Sequence, residues 1–273
     1  MTDGSRFDPF RALTQAGLCD TVQDYSGPFA DLYDSLGGSY EDDIPYYLKQ
    51  FPGGQSLLEL GAGTGRLTVP LADAGNTVTA LEPSEDMLTI LKTKCAGQKR
   101  VKPELGSTST MGYQEQFDAV IAPFNMIYHL HRPEERVELF QKSYAALKSG
   151  GKFFLHYFFP DESAGASERG RFLTLTKPDP ADSRQVHMIC NYMSFDPANR
   201  HNTVDSVHFA MSPDKTFEAF HQTFVEYHMP IPELKELMGA AGFQIVGLYG
   251  NFSETPLREV REREFVLAVG RKP

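Results

Sequence analysis

Cysteine is scarce: Cys19, Cys95 and Cys190 are the only three in 273 residues, and no metal or redox spacing links them. Reduced thiols in a cytoplasmic setting are the expectation. Positive charge is also short. With a formal net charge of -10 and acidic residues spread along the chain, no basic stripe is available to neutralise phosphates, which disfavours a nucleic-acid partner. No apolar run reaches the length of a membrane span, and the opening stretch MTDGSRFDPFRALTQ has no signal-peptide core. There is no low-complexity tract and no internal repeat. What remains is an acidic globular chain, 41% apolar, suited to a small neutral or cationic ligand.

Within that chain, SLLEL (56–60) is a short apolar run bounded by glycines and reads as a buried strand. RLTVPLADAG follows with helical spacing and stops at Gly75, with Pro70 near its first turn. TVTALE is a second strand, and the helix after it is capped by Ser84 with acidic residues in its opening turn. VKPEL is a third strand and FDAVIAP a fourth. RPEERVELFQKSYAALKSGG is an amphipathic helix with Gly150 and Gly151 at its exit, and KFFLHYFF is a fifth strand. Upstream, a helix is expected from about Tyr40 to Gln50.

The alternation predicts an α/β fold built on a doubly wound parallel sheet. From Pro160 to about Met229 the rhythm changes, and no helix-period segment occurs. Long strands joined at DPANR and SPDK predict an antiparallel insertion there, and the helix IPELKELMGAAGF and two further strands complete the chain. The expected division is a leading segment over 1–52, a core over 53–159 and 230–273, and an insertion over 160–229 that shapes a ligand site.

Strand, glycine loop, helix, then a strand ending in an acid is an order suited to adenosine recognition. Glycines admit a ligand close to the backbone, and Glu82, 21 positions after Gly61, can accept both ribose hydroxyls. The loop itself reads Gly61-Ala62-Gly63-Thr64-Gly65-Arg66. Arg66 stands where a dinucleotide fingerprint wants a small residue, so pyrophosphate is a poor match.

The stretch LLELGAGTGRLTVPLADAG.TVTALEPSEDML resembles the first two motifs of class I S-adenosylmethionine-dependent methyltransferases, in particular the bacterial small-molecule group. YDSLGGSYEDDIPYYL is similar to that group's lid segment, FDAVIAPFNMIYHL to its fourth-strand motif and LKSGGKFFL to its turn before strand five. AAGFQIVGLYGNF near the end fits as well. The resemblance implies a Rossmann-like, seven-stranded, mostly parallel sheet with helices on both faces. It implies S-adenosyl-L-methionine as cofactor and S-adenosyl-L-homocysteine as product. Position by position it assigns Glu59, Gly61, Ala62, Gly63 and Gly65 to the loop beside the methionine part. Glu82, followed by Pro83, takes the ribose, and Met87 lies near the adenine. Ser107 and Thr108 replace the family's usual adenine-side Asp. Pro123 and Phe124 approach cofactor and acceptor by their backbone, and Tyr33 belongs to the lid over the cofactor.

Asn125, Tyr128 and His129 follow the fourth strand at the carboxyl edge and are the catalytic candidates, with His129 first for general base. The alternative for His129 is capping or packing of the next helix. His131 shares that stretch. His156 and Tyr157 end strand five and, with Tyr25, are the acceptor-site candidates; core packing is their other reading. The insertion's His187, His201, His208, His221 and His228 lack zinc spacing, so no metal is expected. Its aromatics, among them Phe209, Phe217, Phe220, Phe224 and Tyr227, suit either a pocket wall for a bulky acceptor or the insertion's own core. The function expected is methyl transfer to nitrogen or oxygen of a small molecule, with carbon also open. The other classes are a protein that binds the cofactor without methyl transfer and a nicotinamide oxidoreductase. A homodimer through the insertion's exposed strands is the expected assembly.

Overall fold

The computed structural model describes residues 14–17, 19–22, 25–36, 40–158, 169–176, 186–211, 217–260 and 265–273. In chain order these form β1 (Asp20–Thr21), α1 (Pro28–Leu36), α2 (Ile44–Gln50), β2 (Ser56–Leu60), α3 (Thr68–Asp73), β3 (Thr77–Glu82) and α4 (Glu85–Lys94). Next come β4 (Val101–Leu105), β5 (Phe117–Ala122), α5 (Pro133–Ala146) and β6 (Leu147–Phe158). The last elements are β7 (Arg169–Thr176), β8 (Val186–Asp196), β9 (His201–Met211), β10 (Phe217–Tyr227), α6 (Ile231–Ala240), β11 (Gln244–Tyr249) and β12 (Phe265–Arg271).

Two compact units result: Met1–Ser39 with Ala164–Val225, and Tyr40–Ser163 with Glu226–Pro273. The first boundary differs from the expected break at 52. Residues 20–21 pair in parallel with Phe220 and His221 of β10, which ties the leading segment to the antiparallel strands. Helix α2 instead buries Tyr46 and Tyr47 with Phe51, Leu57, Leu71 and Phe154 in the core unit.

The core unit carries a seven-stranded sheet in the order β11-β12-β6-β5-β2-β3-β4. Strands β6, β5, β2, β3 and β4 run parallel to one another, and β12 pairs antiparallel with both β6 and β11. Apolar runs suit strands covered on both faces, and Leu57, Leu58, Val78, Ala80, Val120 and Ile121 are fully buried. Pro103 falls on β4, an edge strand, where its missing amide costs no central ladder bond. The chain winds from β2 outward to β4, then returns to place β5 on the other side of β2. That reversal lies between β2 and β5, and ligands of open α/β sheets bind at the carboxyl ends beside such a point.

Three helix ends behave as their sequence suggests. Ser84 accepts from the Met87 amide at 3.2 Å, and Gly75 and Gly242 take φ of +98° just past α3 and α6. One does not. Helix α5 stops at Ala146, and Gly150 and Gly151 lie inside β6 rather than at a helix exit. The carboxyl terminus draws that segment into extended pairing: Gly150 N donates to Lys272 O, and Lys272 Nζ donates to Leu147 O at 2.7 Å.

The other unit holds a five-stranded sheet ordered β1-β10-β9-β8-β7. Strands β7, β8 and β9 pair antiparallel, and β8 and β9 stay in register over their full length. Its described apolar cluster is Phe29, Leu32 and Phe220, with Val22, Tyr25, Tyr33 and Phe224 packed against it.

Candidate active site

The glycine loop leaves β2 at the reversal point. Gly61 and Ala62 donate to Leu81 O, at 2.8 and 3.1 Å, so the loop folds back over the end of β3. Gly61, Gly63 and Gly65 all have positive φ, at 66°, 57° and 93°. Gly65 also has no room: a Cβ there would lie 2.5 Å from Leu91 Cδ1 of α4, so the third glycine sets how closely loop and helix pack.

Glu82 ends β3, with 5% of its surface exposed. Its two oxygens are held separately, Oε2 by the Gly63 amide at 2.8 Å and Oε1 by the Ser84 amide at 2.9 Å. Burial pushes its pKa up while those two amides pull it down. A carboxylate held this way keeps acceptor capacity on each oxygen, a donor set that fits a vicinal diol. Glu59 is buried at the end of β2 and accepts from Thr68 Oγ1 at 2.6 Å. Burial raises its pKa to about 7, against the Thr68 hydroxyl and Arg66, which lower it.

Other predicted positions ring this carboxyl edge. Pro83 is exposed beside Glu82, and Met87 is buried under the first turn of α4. After β4, Ser107 Oγ lies 2.7 Å from Ser109 Oγ, and the Ser107 carbonyl accepts from the Thr110 and Met111 amides. Thr108 is buried in that turn. Leu105, beside Glu82 in the pairing of β3 with β4, is an apolar side chain left 54% exposed.

Beyond β5, Pro123 is followed by two residues in the left-handed region, Phe124 at φ 41° and Asn125 at φ 60°. Two consecutive non-glycine residues there are a costly backbone, and β6 holds the elbow from both sides. Asn125 N donates to His156 O at 3.1 Å, and Asn125 Oδ1 accepts from Phe158 N at 2.7 Å. Tyr128, in the short 3-10 turn Met126–His129, donates its hydroxyl to Phe158 O. Asn125 and Tyr128 thus both spend hydrogen bonds on fixing this corner. Burial pushes the pKa of His129 down; Glu226 pulls it up and His131 pushes it further down. The His228 ring packs on Tyr128 at 4.9 Å, and its Nε2 is 3.7 Å from Glu226.

His156 and Tyr157 do not share a face. Neighbours along a strand point oppositely, and Tyr157 joins the cluster containing Tyr128, Phe153 and Tyr227. His156 lies on the other side, against Tyr40, Phe158, Phe252 and Phe265 at ring separations of 4.6 to 6.1 Å. Tyr25 and Tyr33 belong to the antiparallel unit, where they and Phe29 form a cluster of edge-on rings at 5.6 to 6.0 Å.

The sequence reading missed Tyr40 and Asp43 and treated Arg66 only as a misfit. Arg66 grips Asp43 through both terminal nitrogens, at 2.5 and 2.8 Å, and also donates to Tyr40 O at 2.6 Å. Its guanidinium lies over the rings of Tyr40 and Phe124. Asp43 has no exposed surface. This pair bolts the start of α2 to the glycine loop; the signal available was an Asp-Asp pair preceding a helix, which local pattern alone does not connect to residue 66.

With this geometry in place, the chain can be compared with known proteins. Residues 57–151 match the family described as Methyltransferase domain, spanning β2 to the start of β6. Together with the similar proteins that follow, this match supports a class I S-adenosylmethionine-dependent methyltransferase. It is 26% identical over 219 residues to the cypemycin N-terminal methyltransferase of Streptomyces sp, covering 80% of this chain and 84% of that one. Two solved structures are similar in fold. The CcbJ methyltransferase of Streptomyces caelestis has a TM-score of 0.71 at 24% identity, covering 92% of this chain and 98% of that one. CalS10 of Micromonospora echinaspora, an amino pentose methyltransferase solved with S-adenosylmethionine bound, has a TM-score of 0.69 at 19% identity, covering 91% and 98%. Among its described residues the chain has no cluster of three metal-ligating side chains, and no helix long and apolar enough to cross a membrane.

Proposed function

We propose that the chain transfers the methyl group of S-adenosyl-L-methionine to a nitrogen or oxygen of a small-molecule acceptor, leaving S-adenosyl-L-homocysteine. The observation that carries this reading is the buried Glu82 carboxylate fastened to the glycine loop through the Gly63 amide. In it, Glu82 accepts from the ribose hydroxyls, and Gly61, Ala62, Gly63 and Gly65 let the backbone pass close to the methionine part. Met87, Pro83, Ser107, Thr108 and the exposed Leu105 border the adenine. When bound, the cofactor supplies a methyl carbon already activated by its sulfonium. The protein's part is to hold the nucleophile in line, about 3 to 3.5 Å from that carbon, and to keep water out.

Nitrogen is the favoured acceptor atom. A neutral amine loses no proton in the transfer, whereas a hydroxyl needs a base, and burial leaves His129 a weaker base than an ordinary histidine. Two of the similar proteins point the same way: the cypemycin relative is an N-terminal methyltransferase, and CalS10 is an amino pentose methyltransferase. Phe124 and Asn125 lie beside the reacting atoms, with Tyr128 and His129 behind them, and Tyr25, Tyr33, His156 and Tyr157 remain acceptor or lid candidates. A cytoplasmic homodimer with no nucleic-acid partner completes the reading. Its test is S-adenosyl-L-homocysteine release with a panel of primary amines and the matching alcohols. Turnover with an amine supports the proposal; binding of the cofactor without turnover on any member favours a non-methylating role.

A further inference from the structure

One carboxylate near the left-handed elbow takes no part in holding the cofactor. Glu226 keeps 27% of its side chain exposed, and its Oε2 lies 3.7 Å from His228 Nε2. The His228 ring packs on Tyr128 at 4.9 Å, and the Glu226 charge acts on both the Tyr128 hydroxyl and the His129 ring. His129 is only partly buried, so this group of side chains keeps accessible surface. Arg136 of α5 fixes the arrangement. Its Nη1 donates to the carbonyls of Leu130 and His131, both at 2.9 Å, and its guanidinium lies 3.6 Å over the Tyr227 ring. Its Nε donates to Glu233 Oε1 at 2.8 Å, and the Tyr227 hydroxyl donates to the other Glu233 oxygen. One buried arginine thus fastens the residues after His129 and the residue after Glu226, all within the core unit. Glu233 answers the charge of Arg136.

We propose that Glu226 is a catalytic residue for an amine acceptor, its carboxylate accepting a hydrogen bond from the acceptor N–H as positive charge builds on nitrogen. The inference rests on the methyl-transfer reading and gives its acceptor a charge class. The neutral amine's lone pair forms the N–C bond, and the C–S bonding pair passes to sulfur to give the thioether. Positive charge therefore moves from sulfur to nitrogen, and the product ammonium later gives its proton to water. A fixed carboxylate beside that nitrogen binds more strongly after transfer than before it, which lowers the barrier. The same carboxylate repels an alkoxide, so it selects nitrogen over oxygen. Burial pushes the His129 pKa down, against the pull of Glu226, so at neutral pH the ring carries no charge to compete for the carboxylate.

Butylammonium and butanol test this without knowing the acceptor, when added to protein saturated with S-adenosyl-L-homocysteine. That mixture stands for the product side of the reaction. In protein labelled with 15N-histidine, butylammonium should move the ring resonances of His129 and His228, and butanol should not. Glu226→Gln, close in size but uncharged, should weaken butylammonium about tenfold in the same titration, the worth of one hydrogen bond to a charged group. Its calorimetric affinity for S-adenosyl-L-homocysteine should stay within about twofold, which also reports that the variant is folded. Any amine that turns over should lose kcat in this variant more than it gains in KM. Resonances unmoved by butylammonium, equal shifts from the alcohol, or an unchanged ammonium affinity in folded Glu226→Gln overturns the proposal. The wild-type comparison of ammonium with alcohol decides alone if the variant does not fold. Wild-type protein that does not bind S-adenosyl-L-homocysteine overturns the cofactor reading itself.

Discussion

The two units of this chain bury polar groups in different ways. The core unit buries ionisable side chains: Glu59, Glu82, Asp43 and most of Arg66 lie inside, each anchored by a partner at 2.5 to 2.9 Å. Among its described residues the antiparallel unit buries amides, a hydroxyl and an imidazole instead. Asn202, Ser206, His208 and Gln222 are inside its sheet, with Gln222 Nε2 3.1 Å from His208 Nε2 and the His208 ring stacked on Phe220 at 4.6 Å. Its described charge pairs lie nearer the surface, as with Asp205, which accepts from Thr223 and lies 3.4 Å from His221. Buried charge survives only where geometry is over-determined, because an ion removed from water must recover its hydration from fixed partners. The contrast therefore marks the carboxyl edge of the parallel sheet as the place where this fold spends stability on preorganised electrostatics.

The largest effect expected follows from breaking the buried pair. Arg66→Ala leaves Asp43 charged and uncompensated, and urea denaturation should show a loss of about 3–5 kcal/mol. A loss under about 1 kcal/mol would remove the distinction between the units. Next, Gly65→Ala forces an L residue to φ 93° with a Cβ against Leu91, and should cost about 1–3 kcal/mol in the same assay.

Two buried groups then predict opposing pH slopes. Glu59 is raised from 4.5 to about 7, so its contribution is complete below pH 4.5 and lost as pH rises through 7. His156 is lowered from 6.5 to about 3, so its contribution is complete above pH 6.5 and lost as pH falls towards 3. Between pH 4.5 and 6.5 the two slopes, each at most about 1.4 kcal/mol per pH unit, oppose one another. In Glu59→Gln, stability should rise with pH across that window; in His156→Phe it should fall. Stability measured at several pH values on both variants checks the signs, and matching slopes would contradict the assignment. The smallest effect belongs to the antiparallel unit: Asp205→Asn should change stability by no more than about 1 kcal/mol.

Much of the core unit was legible because each step of a βαβ chain leaves a local mark. Apolar runs of five or six residues, Ser84 as cap, and Gly75 and Gly242 as stops all lie within a few residues of what they control. The glycine loop and Glu82 were legible as a pair because the sheet brings adjacent strands together by default. Arg66 and Asp43 were not, since their pairing spans 23 residues and has no periodicity. Helix α2 begins at Ile44 rather than near Tyr40 for the same reason, with Asp43 held by Arg66 and Tyr40 left to pack on Phe124. The opposite facing of His156 and Tyr157 was available from strand alternation alone. The long strands of the insertion were visible in composition, but β1 is only two residues long, too short for any pattern to reveal its pairing with β10.

The most direct test of the central claim is calorimetric titration of the protein with S-adenosyl-L-methionine, S-adenosyl-L-homocysteine and NAD, repeated on Glu82→Ala. The account predicts that both sulfur ligands bind, that NAD does not, and that the substitution weakens binding about a hundredfold, the worth of two hydrogen bonds to a carboxylate. Folded, ligand-free protein that binds neither sulfur ligand, or that binds them equally well without the Glu82 carboxylate, would contradict it.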